Sequence, residues 1–145
     1  MCIIDALRTW FVSCPLLKDG LLNVERLGAE PVEYTIDSDQ PESIVLKQYT
    51  DGGSLRQFPF VFASMESYGV DTMKNIENSG FYEALADWVE QQSDAGNLPV
   101  LDDQKKIPEY IEVLSGGYPF DVGDSTARYQ IAMNFVYYQK PTYHF

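Results

Sequence analysis

Between Thr126 and Tyr138 the chain alternates at period two: Ala127, Tyr129, Ile131, Met133, Phe135 and Tyr137 fall on one side, and Arg128, Gln130 and Asn134 on the other. Period-two alternation of this length is the pattern of a long strand with one buried face. Such a strand needs neighbours along its edges and apolar cover over one side, so the rest of the chain must supply both. Four other segments read as strands. Pro31–Asp37 and Ser43–Thr50 are rich in Val, Ile, Tyr and Thr and are separated by Asp37-Ser38-Asp39-Gln40-Pro41. Asp51-Gly52-Gly53-Ser54 is a turn signal, because glycine reaches positive φ without a side-chain clash, and it predicts a hairpin into a third strand, Leu55–Met65. Phe58, Phe60 and Phe62 share one face of that strand, whereas Pro59 lacks an N–H, so the strand is expected to lie exposed along one side near that residue. Tyr110–Leu114 is short strand material.

Cover comes from two amphipathic helices. Ile3, Ile4, Leu7, Trp10, Phe11 and Cys14 recur at helical spacing before Pro15. Asp71–Gln92 carries Met73, Ile76, Phe81, Leu85, Trp88 and Val89 at helical spacing, with Ser79-Gly80 as either a kink or the start; a second helix is expected from about Gly80 to Gln92, ending before Gly96 and Pro99. Residues 100–108 read as a polar connection and Ser115–Asp124 as a loop. The order α-β-β-β-α-β-β, with tight turns, implies an α+β fold: a mainly antiparallel sheet of about five strands with both helices packed on one face. Residues 1–145 form one expected domain, with no internal repeat or dividing linker.

Charge and composition narrow the chemistry. The chain has 22 Asp plus Glu against 10 Lys plus Arg, a net charge of -12, and its bases look scattered, with Lys105-Lys106 the one adjacent pair. Direct binding to DNA, RNA or an anionic membrane is disfavoured, since counterion release needs a cationic patch. His144 is the one histidine, and Cys2 and Cys14, roughly 18 Å apart if they share the first helix, are expected as free thiols in a reducing cytoplasm. Asp5 and Arg8 interrupt what would be the apolar part of a signal peptide, and no run approaches a membrane span. Asp102-Asp103, or Asp121 with Asp124, could in principle hold a cation or a water, but turns that satisfy local backbone donors explain both pairs better. Ser115-Gly116-Gly117 lacks the lysine and following helix of a phosphate loop. No catalytic residue, metal site or cofactor is expected, and the chain is read as a non-enzyme. Arg128 should pair with a carboxylate, within the sheet or across a subunit boundary, and the excess of strand tyrosines points to a protein partner.

Several motifs occur in a recognisable order. Ile3-Ile4-Asp5-Ala6-Leu7-Arg8-Thr9-Trp10 opens the chain and Phe58-Pro59-Phe60-Val61-Phe62 follows. Then come Gly80-Phe81-Tyr82-Glu83-Ala84-Leu85-Ala86-Asp87-Trp88-Val89, Leu98-Pro99 and Thr126-Ala127-Arg128-Tyr129-Gln130-Ile131. Together they resemble the tail terminator or minor capsid proteins of Gram-positive tailed phages, including prophage-encoded ones. The resemblance implies an α+β structural protein that forms a hexameric ring on the last ring of the tail tube, stops tail growth and presents a surface for head joining. It implies partners among copies of itself, tail-tube proteins and head-connector proteins, and a place in the cytoplasm during assembly and in the virion afterwards. A neck protein of the head-tail joint and a small cytoplasmic protein-binding adaptor are the alternatives. Loop position and charge select Tyr49, Asp51, Arg56, Phe58, Asp121, Asp124, Arg128 and Tyr143 as the expected contact residues.

Overall fold

The computed structural model describes residues 3–15, 22–24, 34–39, 43–67, 72–116, 118–120 and 126–141. Its elements are α1 (Ile3–Val12), β1 (Leu22–Val24), β2 (Tyr34–Ser38), β3 (Val45–Gln48), β4 (Ser54–Ser67), α2 (Thr72–Asp94), β5 (Lys106–Val113), β6 (Tyr118–Phe120) and β7 (Thr126–Gln139). The fold is α+β, and every strand joins one sheet whose main path runs β1-β2-β4-β7-β5. All pairings are antiparallel except β1 with β2, which is parallel. Two of the seven strands are additional to the five expected: β1, and β6, which lies inside the stretch read as a loop. Each is three residues long, too short for a periodicity to register, and forms by pairing with a longer strand.

The frame is the β4–β7 ladder, in register from Ser54 opposite Gln139 to Ser67 opposite Thr126. Phe62 stands between Ile36 and Ile131, and Phe60 is opposite Met133, so alternate residues of three strands form one apolar row, fully buried. Both helices meet that row: Phe11 of α1 lies 6.0 Å from Phe60 and 5.1 Å from Phe62 between ring centroids, and Tyr82 of α2 stacks on Tyr129 at 5.9 Å. The Tyr82 hydroxyl donates to the Tyr129 carbonyl at 3.0 Å and accepts from the Ser64 hydroxyl at 2.6 Å, which satisfies a buried polar trio. Trp10 ties α1 to the loop after α2 by donating its indole N–H to the Asn97 carbonyl at 2.8 Å.

Helix α2 starts well before Gly80. That glycine is exposed and a Cβ there would meet nothing within 4 Å, so it interrupts no packing and costs the helix about 1 kcal/mol of propensity. Gly96, at φ 81°, ends the helix in the left-handed conformation. Cys14 is buried in the core; Cys2 lies outside the described residues.

The expected exposed edge at Pro59 is corrected by the pairing, because β4 is an interior strand. β2 and β3 do not form a hairpin with each other; they lie end to end along the same side of β4. β2 reaches Phe60 and β3 begins at Arg56, so the break between them falls at Pro59. Asp39 N–H donates to the Pro59 carbonyl at 3.0 Å, which shows that the proline's ring nitrogen also faces this break, where no ladder donor is required. β5 likewise begins at Lys106, inside the stretch read as a polar connection, and absorbs Pro108 beside a register shift between Pro108 and Tyr110.

Candidate interaction surface

The hairpin between β3 and β4 builds one end of the sheet. Gly52 sits at φ 92°, and the Asp51 carboxylate accepts from Gly53 N–H at 2.9 Å, closing the turn. Gly53 is buried against Tyr138: a Cβ on it would stand 2.1 Å from the phenol oxygen. Tyr138 also meets Tyr49 edge-on at 5.8 Å, and the Lys47 ammonium lies 5.2 Å above the Tyr49 ring. Arg56 donates from Nε to the Ser54 hydroxyl at 2.9 Å, directing its guanidinium toward the same end. Of the residues chosen from sequence, Tyr49 and Asp51 belong to this hairpin, and Arg56 lies just beyond it on the face of β4 opposite to the one that meets Tyr138.

The other expected contacts are dispersed. Phe58 is partly buried against the core and lines a cleft of about 350 Å³ with Ile3, Ile44, Pro59 and Tyr137. Arg128 finds its carboxylate inside the chain, in Asp37 at 2.6 Å, and adds a bond from Nε to Gln130 at 3.2 Å. The ion pair spans β4 at Ala63, small and fully buried, which the registers pair with Thr35 of β2 and Gln130 of β7. It stitches β2 to β7, so this guanidinium is engaged within the sheet. Asp121, Asp124 and Tyr143 lie outside the described residues.

Two features were not anticipated. The ladders put Gln48, Ser54, Gln139 and Lys106 in one row across β3, β4, β7 and β5. Lys47 and Lys140 adjoin that row, Lys140 N–H donates to the Lys105 carbonyl at 2.7 Å, and Arg56 points toward it. Five of the chain's 10 bases, Lys47, Arg56, Lys105, Lys106 and Lys140, thus lie toward one end of the sheet, Lys47 on the face of Tyr138 and Arg56 and Lys106 on the face of Gln139. Spread over ninety-odd positions of sequence, they show no run, and only the strand pairing reveals the patch. Within it Asp103 accepts from Lys105 N–H at 2.9 Å and from the Lys106 ammonium at 3.2 Å, and these bonds, the backbone one foremost, hold its carboxyl below the ordinary aspartate value.

The second feature is a groove of about 330 Å³ between the last turns of α2 and strand β5, lined by Glu90, Ser93, Asp94, Tyr110, Ile111, Glu112 and Val113. Ser93 accepts from Ile111 N–H at 3.1 Å, fastening the helix to the outer side of β5. Burial raises the Tyr110 phenol above its usual pKa, and the charges of Glu112 and Glu109 push it further the same way. Behind Glu112, Asn134 is 6% exposed; it donates to Gln57 at 3.0 Å and to Glu112 at 3.5 Å, while its Oδ1 has no hydrogen-bond partner.

Among the described residues no group of three or more His, Cys, Asp or Glu side chains is arranged to hold a metal ion, and no helix is long and apolar enough to cross a membrane. Compared with protein-family models and with curated proteins, the chain matches none.

Proposed function

We propose that this chain is a structural protein of tailed-phage assembly, a tail terminator that caps the tail tube and offers the surface to which the head is joined. The observation that carries the reading is the ordered set of motifs from Ile3 to Ile131, which resembles that group over most of the chain. An α+β sheet whose polar and aromatic groups gather at an end and along an edge supports it, because such surfaces suit contact rather than turnover. In this reading the partners are other copies of the chain in a ring, the tail tube below and the head connector above. The chain works without a cofactor and passes from the cytoplasm into the virion. A net charge of -12 fits a wall beside which DNA slides without adhering.

The test is electron microscopy of phage lysates made with and without the gene. Overlong or irregular tails with unjoined heads are expected on deletion. Tails of normal length lying apart from heads would move the protein to the neck, and unchanged infectious particles would overturn the morphogenesis reading in favour of an adaptor.

A further inference from the structure

Around the Pro59 joint, the side of β4 that β2 and β3 share carries an arrangement that is symmetric about Ile44. Asp39 stands opposite Pro59 through its N–H, Ile44 stands opposite Gln57, whose N–H donates to the Ile44 carbonyl at 2.8 Å, and Lys47 stands opposite Leu55. Pro59, Gln57 and Leu55 alternate along β4 and pair with Asn134, Val136 and Tyr138, so all three levels belong to one face, opposite to that of Phe58 and Phe60. A carboxylate and an ammonium therefore flank Ile44, each two β4 residues or about 7 Å from it along the strand. Both are exposed and neither forms an ion pair among the described residues, Lys47 meeting the Tyr49 ring. The apolar groups follow the same order. The cleft of about 350 Å³ opens between the Asp39 and Ile44 levels, lined by both of them with Phe58 and Pro59. Leu46 stands on the other side, between Ile44 and Lys47, and Ile44 and Leu46 are 54% and 46% exposed. A recess with an acidic rim thus lies on one side of Ile44, and an exposed leucine beside a lysine on the other.

We propose that a second copy of this chain docks on this edge about a two-fold axis that passes beside Ile44, perpendicular to the sheet. The rotation exchanges the levels on either side of Ile44. It sets each Lys47 against Asp39 of the other copy, brings the two Ile44 side chains together at the axis, and carries each Leu46 to the level at which the other copy's cleft opens. The perpendicular axis is the one that keeps corresponding faces of both sheets on the same side, as the shared face of Asp39 and Lys47 requires. Such a contact is isologous: the same patch serves both copies, and each pairing occurs twice. The apolar centre supplies the attraction, while the two exposed ion pairs, each worth little, fix the register. The edge is narrow, so the pair is a transient one that grows with concentration. A two-fold contact closes on itself, so the inference lies beyond the ring of the assembly reading and does not depend on it.

The experiment is sedimentation velocity on the whole chain over a range of concentrations, with Asp39→Lys, Lys47→Asp, the double exchange Asp39→Lys/Lys47→Asp, and Ile44→Glu. All these positions are exposed, and circular dichroism verifies that each variant is folded. The parent should pass from monomer to dimer as concentration rises. Each single reversal sets like charges face to face at both ion pairs and should weaken the dimer about tenfold. The double exchange, and an equimolar mixture of the two single reversals, put opposite charges back in contact and should recover it. Ile44→Glu, which opposes two carboxylates at the axis, should remain monomeric. A parent monomeric throughout overturns the proposal, as does a double exchange that associates no better than the single reversals. A monomeric parent that binds the apolar dye anilinonaphthalene sulfonate, with binding lost in Ile44→Glu, also overturns it and gives the cleft to a small ligand. A dimer rescued by the exchange beside unchanged infectious particles from the deletion lysate would sink the phage reading and leave this contact standing; altered tails with a monomeric parent would do the reverse.

Discussion

Gly52 and Gly53 meet two different requirements of one turn. The turn favours glycine at Gly52 for its positive φ, but the neighbouring Gly53 is needed for space, since Tyr138 occupies the volume of a β-carbon. Gly53→Ala should therefore destabilise the fold by about 1–3 kcal/mol through overpacking, measured by urea denaturation. Gly80→Ala, on an exposed helical site with open space, should raise stability by about 0.5–1 kcal/mol in the same assay. The glycine pair was legible as a turn because turn chemistry is local, whereas the claim of Tyr138 on Gly53 depends on a strand 85 residues away in sequence. Arg128 divides in the same way: a strand arginine in an acidic chain needs a carboxylate, but that the partner is Asp37 follows only from the β2-β4-β7 order. Tyr110 adds a pH dependence. Its folded pKa lies above the unfolded value, so its contribution to stability is complete below the ordinary tyrosine range and is lost as pH rises through that range toward the folded value. In spectrophotometric titration Tyr110→Phe should lose one phenol from the part of the curve above the ordinary tyrosine range, read as the difference from the parent chain.

At the scale of elements, periodicity identified both helices and the long strands because each buries one consistent face. It failed where formation depends on a neighbour. β1 and β6 have no pattern of their own, β5 extends through a proline by means of a bulge, and α2 runs through a glycine that touches nothing. Pro59 is the instructive case: the residue that forecast an exposed strand instead marks the joint at which two short strands share one side of β4. Pro59→Ala should consequently change stability by less than about 1 kcal/mol, because position 59 lies at the joint between two strands and its carbonyl keeps the bond from Asp39 N–H. The junction of α2 with the sheet is more sensitive. Tyr82→Phe removes the hydroxyl that links Ser64 to the Tyr129 carbonyl in a fully buried setting, and should cost about 1–3 kcal/mol in the denaturation midpoint analysis. The basic end was illegible for a related reason, since its members come from β3, β4, the approach to β5 and the residue after β7.

For the whole molecule, β7 is the common member: β4, β5 and β6 all pair with it, and its inward side chains from Tyr129 to Tyr137 are buried beneath both helices' contacts. Met133, fully buried opposite Phe60, should behave accordingly. Met133→Ala is expected to lose about 2–5 kcal/mol, and hydrogen exchange should report the loss alike in the β4, β5 and β7 amides as one cooperative unit. The same centrality has a cost during synthesis. β4 is translated well before β7, with the whole of α2 between them, so Phe60 and Phe62 leave the ribosome without the strand that pairs with theirs. A nascent chain halted short of Thr126 holds two helices and an unzipped β4, and it is this half-made species, rather than the finished protein, that a chaperone would be called on to shield.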